Sequence, residues 1–213
     1  MRVKCIEKDN RVPDITKNKI YSVYEGEFKN KFKEKKYISF RIQDDYGSVI
    51  PYEAKYFEII SNKNTNYVEK KIAEDTHKFI HKFISYDGFW SMLYDEEGTS
   101  LDDFWRAKKD IYKLEMSKDE MHEILQGENE DERDFILDLL IEVKDDHFIE
   151  DAIKLGRKHL HEWIINNQSL ETLFFYISCF KDDRIDDFFI EYLSENEKGN
   201  DKLDKIVNDY FNN

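Results

Sequence analysis

The chain has 213 residues, of which 40% are hydrophobic and 15% aromatic, enough to build the packed core of one large or two smaller domains. Its 47 acidic and 33 basic residues give a net charge of −14. This charge disfavours direct nucleic-acid binding, because such affinity depends on Lys and Arg neutralising phosphates. It suits a basic protein partner, or simple solubility. We find no membrane-length apolar run and no signal-peptide pattern, so we expect a cytoplasmic protein without membrane contact.

Residues 1–60 have the pattern of short strands. Alternating apolar residues at 38–42 predict a strand, and the DDYG sequence at 44–47 predicts a tight turn in which glycine supplies a positive φ. Pro51 fits an edge strand or a strand end. The lysine-rich segment 28–36 is polar, and it predicts a long hairpin loop.

Part of this region resembles a known small fold. Residues 15–23 (ITKNKIYSV) are similar to the leucine-x-x-glycine-lysine-x-tyrosine-x-valine strand of small SH3-like barrels, with Asn18 in place of the glycine. Residues 38–42, Gly47, 49–51 and 56–57 resemble the later strands and the closing one-turn helix. The resemblance covers about the first quarter of the chain and implies a bacterial or phage-type SH3-like β-barrel over 1–60. It does not imply binding of Pro-rich peptides, because the groove residues are missing.

Helical signals dominate the remainder. The polar segment 61–66 (SNKNTN) predicts a linker, and residues 67–213 predict an α-helical domain. Apolar residues from Val68 to Phe83 have helical spacing, so we expect the first helix there. Ser117 followed by Glu120 predicts a capping box, and Gly127 predicts the end of that helix.

A weak internal repeat has an offset of 37 residues. The segments 135–146 and 173–183 are both apolar and both end in Lys-Asp-Asp. This length is near that of a helix-pair repeat, so the sequence favours stacked helical hairpins, HEAT-like, over a closed bundle. The predicted fold class is therefore α+β, a small SH3-like barrel followed by a HEAT-like all-α domain.

No residue pattern indicates catalysis, and we expect no enzyme activity, no cofactor and no metal. His77 and His81 have the i,i+4 spacing of a helical metal chelate, but the general base of an HExxH site is missing, so surface histidines are the better interpretation. His159 and His161 point to different sides of one helix. His122 precedes Glu123 without an evident partner. Both cysteines lack CxxC spacing, and we expect them to be reduced core residues.

Acidic clusters remain as the candidate binding feature. They recur near helix starts, where they stabilise the helix dipole, and in stacked hairpins they would also align as a ridge for a basic partner. The candidate residues are Asp145, Asp146, Glu150, Asp151, Asp182, Asp183, Asp186 and Asp187. The leading hypothesis is a non-enzymatic protein-binding inhibitor, such as a toxin-immunity protein or a phage anti-defence protein. The alternatives are a metal-dependent hydrolase using the His77/His81 helix and an acidic DNA mimic. The oligomeric state stays open.

Overall fold

The computed structural model describes residues 1–7, 14–31, 34–161, 168–195 and 200–212. It is α+β, with an antiparallel sheet in the N-terminal half followed by helices. The chain divides into two compact units, Met1–Met116 and Ser117–Asn213, which we call the sheet unit and the helical unit. The segment 61–66, predicted as the linker between domains, lies inside the sheet unit.

The strands and helices have the following bounds. The strands are β1 Arg2–Cys5, β2 Ile20–Lys31, β3 Glu34–Gln43, β4 Val49–Glu53, β5 Phe57–Ser61, β6 Tyr67–Lys71 and β7 Thr76–His81, and a one-turn 3-10 helix, Ala54–Tyr56, joins β4 to β5. Helices α1 Phe89–Tyr94 and α2 Ser100–Glu115 complete the sheet unit. The helical unit has α3 Lys118–Gln126, α4 Glu130–Val143, α5 Ile149–His161, α6 Gln168–Ser178, α7 Asp183–Glu195 and α8 Asp201–Asn212.

All described strand pairs are antiparallel, and the long strand β2 is the centre of the sheet. The strand order is β4-β3-β2-β1-β5. Strand β7 pairs with β2 beyond the end of β1, and β6 pairs with β7. The predicted turn at 44–47 is confirmed: Gly47 has φ +86°, and the carboxylate of Asp44 accepts the N–H groups of Tyr46 and Ser48 at 3.0 and 2.9 Å. Asn18 also adopts a positive φ, 70°, which Asn tolerates better than most residues.

Two predictions for the sheet unit are wrong. Residues 67–81, predicted as helix, form the β6–β7 hairpin, and residues 28–36, predicted as loop, continue β2 to Lys31 and begin β3 at Glu34. The apolar spacing also fits strands whose two faces are both covered: Phe79 joins one core cluster and Ile80 another. Pairing of β7 with distant β2 therefore overrides the local helical pattern, which carries no information about such partners.

The sheet unit has two hydrophobic clusters. One contains the inward side chains of β1–β5, among them Val3, Phe40 and the buried Tyr56 of the 3-10 helix. The other packs Tyr24 and Ile80 against residues of α2 and its neighbours. Burial of apolar side chains, at roughly 1.5–3 kcal/mol for each large one, therefore holds α2 on the sheet and makes both part of one unit.

The helical unit has two rows of neighbouring helices, α3-α5-α7 and α4-α6-α8. Phe174 on α6 is fully buried, and its ring centroid lies 5.0–5.5 Å from those of Phe188, Phe189 and Tyr192 on α7. The capping box of Ser117 with Glu120 is confirmed, and α3 ends at Gln126, just before Gly127. This packing places the turns that follow α4 and α6 in equivalent positions.

Candidate functional site

The negative charge is divided unequally between the two units. The sheet unit has 22 Lys and Arg against 21 Asp and Glu, a net charge of +1. The helical unit has 11 against 26, a net charge of −15, so it accounts for the whole charge excess of the protein. The predicted acidic residues are all in this unit. We call the eight of them, 145, 146, 150, 151, 182, 183, 186 and 187, the acidic edge.

The first aspartate of each Lys-Asp-Asp turn shapes the backbone before the next helix. The Asp145 carboxylate accepts the N–H of His147 at 3.0 Å, and the Asp182 carboxylate accepts that of Arg184 at 2.9 Å. These hydrogen bonds use donors that the start of a helix leaves free, and the negative charge suits the N-terminal end of the helix dipole. The two turns therefore carry acidic residues for a local structural reason.

Arg184 joins the two parts of the acidic edge. Its Nε and Nη2 donate to the two carboxylate oxygens of Asp182 at 2.8 and 2.7 Å, and its Nη1 lies 3.6 Å from an oxygen of Glu150. Hydrogen bonds from the Arg184 guanidinium lower the pKa of Asp182 to about 2. The turn before α5 and the turn before α7 are thus neighbours, as the repeat hypothesis requires.

Several carboxylates of the acidic edge are already engaged. Asp145 lies 3.4 Å from Lys118, and Asp151 lies 2.9 Å from a ring nitrogen of His122. The acidic edge is therefore less strongly negative than its eight carboxylates imply. Of the eight acidic-edge residues, all of which the structure describes, three exposed ones have a carboxylate with neither an ion pair nor a hydrogen bond: Asp146, Asp183 and Asp187.

Two tyrosines form hydrogen bonds to residues of the acidic edge, and neither of them was identified from the sequence. Tyr176 on α6 donates its hydroxyl to the Asp145 carbonyl at 2.8 Å, and Tyr210 on α8 donates to the Asp186 carboxylate at 2.6 Å. Burial and the Asp186 hydrogen bond raise the pKa of Tyr210 to about 12, and burial raises that of Tyr176. Both hydroxyls therefore stay protonated donors at neutral pH. Tyr176 fixes the turn before α5 to α6, and Tyr210 fixes the start of α7 to α8.

His77 and His81 do not form the chelate that the metal-dependent alternative requires. They lie on β7, where residues four apart are about 13 Å apart, because a strand rises about 3.3 Å per residue. His77 stacks on Phe28 with a centroid distance of 5.4 Å. In the part of the chain that the structure describes, no group of three or more His, Cys, Asp and Glu residues is placed to hold a metal ion.

His81 instead belongs to a buried polar pair. Its Nε2 lies 2.9 Å from the Asp110 carboxylate, and its Nδ1 accepts the N–H of Phe83 at 3.5 Å. The ring is fully buried, and burial lowers its pKa although Asp110 acts in the opposite direction. This arrangement requires the neutral tautomer with hydrogen on Nε2, so it supports a structural role.

Three further predictions can be compared with the structure. Cys5 is buried as predicted, but Cys179 is exposed, because α6 ends before it and its side chain points away from the core. His122, for which the sequence indicated no partner, contacts Asp151 on another helix, a contact that local sequence does not reveal. His159 is buried, while the side chain of His161 and all of Glu162 lie outside the described residues.

The helical unit also has a groove of about 840 Å³ between α4, α6 and α8. Phe175, which is 52% exposed, lies in it together with Ile141 and Ile206. Lysines that line the groove have partners within the helical unit: Lys202 lies 2.7 Å from Glu171, and Lys181 donates to the Tyr210 carbonyl at 2.6 Å. The groove therefore has no charge of one sign to select a partner.

Comparison with protein-family models, with curated proteins and with solved structures gives no match for this chain. No helix among the described residues has both the length and the apolar character needed to cross a membrane. Function must therefore be argued from the charge and geometry of the two units.

Proposed function

We propose that the protein is a non-enzymatic binding protein whose acidic edge holds a partner protein with a basic surface. One observation supports the proposal: Asp146 is exposed in the turn before α5, Asp183 and Asp187 are exposed at the start of α7, and Arg184 contacts both Asp182 and Glu150. Exposed carboxylates of this kind steer a basic partner and select against acidic ones.

The rigidity of the acidic edge supports this use. The first aspartate of each turn accepts a backbone N–H, Tyr176 donates to the Asp145 carbonyl, and Tyr210 donates to Asp186 at the start of α7. A surface that is already ordered loses less conformational entropy when a partner binds. Engaged residues such as Asp182 and Asp186 therefore position the exposed carboxylates, which make the contacts.

The architecture supports the finer fold assignment that we propose with it. The strand order β4-β3-β2-β1-β5, with a one-turn helix between β4 and β5, is the arrangement expected of an SH3-like barrel, here extended by β6, β7, α1 and α2. Two rows of alternating helices are expected of HEAT-like stacked hairpins. Both folds serve as interaction modules, which is an argument by analogy.

Within this proposal, the biological role is neutralisation of a basic target, as in a toxin-immunity protein or a phage inhibitor of host defence. The charge of −15 on the helical unit supports a target of opposite sign. We also propose a cytoplasmic location, because Cys179 is an exposed free thiol, which a reducing compartment keeps reduced.

The proposal is tested by capture from a lysate with three versions of the protein, followed by quantitative mass spectrometry. The first is wild type, and the second is D146N/D183N/D187N, which removes the exposed carboxylates. The third, E58Q/E74Q/D95N, neutralises three exposed carboxylates of the sheet unit and changes the net charge equally. We expect basic proteins that wild type and the control enrich equally and that the acidic-edge variant loses at least tenfold.

Equal enrichment by all three versions would show that the acidic edge is not the binding surface. Equal loss in both variants would show that net charge alone attracts the partner, and it would remove the argument for a defined site.

A further inference from the structure

The sheet unit carries a group of lysines that the proposed function does not use. Strand register places Lys29 of β2 directly opposite Lys36 of β3, and Lys70 of β6 directly opposite Lys78 of β7. Glu27 of β2, two residues before Lys29, is opposite Lys78. Because side chains alternate along a strand, all four lysines lie on one face of the sheet, which we call the lysine face.

Facing lysine pairs are unfavourable in a folded sheet. Side chains directly opposite each other on antiparallel strands are about 5 Å apart at their Cβ atoms, and like charges at that distance repel. Within the described residues, neither Lys29 nor Lys36 has an ion-pair partner, although Glu34, two residues before Lys36, lies on the same face. The repulsion is relieved when a ligand brings negative charge to both side chains.

The other two lysines are partly compensated. Lys78 lies 3.1 Å from the buried Glu25, and Lys70 lies 3.9 Å from Asp87. Glu27 is also on this face and is half-buried. The uncompensated positive charge is therefore at Lys29 and Lys36, and the second pair extends the positive area across four neighbouring strands, roughly 14 Å at a strand spacing of about 4.8 Å.

We propose that the lysine face binds the phosphate backbone of a nucleic acid. Positive charges spaced about 5–7 Å apart need a ligand with negative charges of similar density. A nucleic-acid strand carries one phosphate for about every 3.4 Å of helix axis, which is a density of this kind. The overall charge of −14 does not describe this face, because the excess belongs to the helical unit, while the sheet unit has a net charge of +1.

The test is fluorescence anisotropy of the full chain with a labelled 20-nucleotide single strand and a 20-base-pair duplex, between 50 and 200 mM NaCl. The site variant is K29E/K36E. The control is K154E/K205E, which reverses two exposed lysines of the helical unit and gives the same net charge. We expect wild type and control to bind, and the site variant to bind at least tenfold more weakly. For the duplex, the slope of log K against log salt should be less steep for the site variant than for wild type by about 1.8, the contribution of two phosphate contacts.

The single variant K36E distinguishes a loss of the binding site from a loss of folding. In K36E, the facing pair becomes Lys29 with Glu, so we expect a higher Tm than wild type together with weaker binding. If K36E binds weakly and also has a lowered Tm, the substitution has damaged the β2–β3 hairpin. In that case the proposal stands only if K29Q/K36Q loses oligonucleotide affinity while its Tm is unchanged.

Two results would overturn the proposal. The first is no binding of either oligonucleotide by wild type at 50 mM NaCl. The second is concentration-dependent self-association of the protein alone that K29E/K36E abolishes, which would assign the lysine face to the acidic surface of a second copy. Neither result depends on whether the acidic edge binds a protein.

Discussion

The two units use charge in different ways. In the sheet unit, carboxylates join segments that are distant in sequence: Asp45 accepts hydrogen bonds from Thr16, Lys19 and Tyr21 at 2.7–2.9 Å. In the helical unit, carboxylates such as Asp182 serve the helix that follows them and leave others exposed. The net charge of −14 therefore describes neither unit. The two units have different candidate partners.

The largest expected effects come from core truncations matched across the units. Phe174→Ala should destabilise the helical unit and Phe28→Ala the sheet unit, each by about 3–5 kcal/mol, because both rings are fully buried and truncation leaves a cavity. Region-resolved hydrogen exchange by mass spectrometry separates the two effects. Phe174→Ala should accelerate exchange in α6 and α7, and Phe28→Ala in β2 and β7. Acceleration throughout the chain in both variants would show that the units do not unfold separately.

Two glycines give a smaller matched pair. A Cβ at Gly26 would lie 2.5 Å from the Phe79 ring, and one at Gly156 would lie 2.6 Å from the Phe188 ring. Neither ring can move freely in a packed core, so Gly26→Ala and Gly156→Ala should each cost about 1–3 kcal/mol. Chemical denaturation followed by circular dichroism measures this. As a control, Gly127→Ala meets only its own helix end, at 3.3 Å, and should cost less.

Acidification should lower the stability of the protein through His81 in the sheet unit. Its pKa is lowered by burial in the folded protein, so below about pH 6.5 the unfolded chain binds a proton that the folded chain does not. Stability should therefore be retained above pH 6.5 and decrease as the pH falls towards the folded pKa, by at most about 1.4 kcal/mol per pH unit. The neighbouring charges are Asp110, Lys82 and the amino group of Met1.

Denaturant midpoints between pH 7.5 and 5.5 measure the His81 effect. His81→Gln should reduce the slope, while His122→Gln, on the exposed surface of the helical unit, serves as the matched histidine control. An unchanged slope in His81→Gln would assign the pH dependence to other groups.

The smallest expected effect concerns the tyrosines behind the acidic edge. Tyr176→Phe removes the hydrogen bond to the Asp145 carbonyl, and Tyr210→Phe removes the hydrogen bond to the Asp186 carboxylate. Each should cost about 0.5–1.5 kcal/mol, the usual net value of one hydrogen bond. Partner binding should weaken with little loss of helix content, which circular dichroism and the partner Kd together report. A stable variant with unchanged Kd would show that the tyrosines do not position the acidic edge.

Local signals predicted parts of both units well. The capping box at Ser117 and the positive φ of Gly47 each depend on a few adjacent residues, and both are confirmed. The repeated Lys-Asp-Asp turns also identified residues that prove to be neighbours. Such features are predictable because the physical cause lies within one turn or one helix end.

Non-local features could not be predicted in this way. The β6–β7 hairpin forms because β2 is long enough to pair with β7 beyond β1, which no window around residue 75 reveals. The contact of His122 with Asp151 spans two helices, and the exposure of Cys179 depends on where α6 ends. The lysine face likewise depends on strand register, while the sequence alone predicted a loop at Lys29 and Lys36 and a helix at Lys70 and Lys78.

The most direct test of the central claim is the Kd of a purified basic partner for wild type, D146N/D183N/D187N and E58Q/E74Q/D95N, measured by isothermal titration calorimetry at 100 mM salt. If the acidic edge is the binding surface, the first variant should raise the Kd at least tenfold and the second by less than threefold. Equal increases in the two variants, or none in either, would contradict the account.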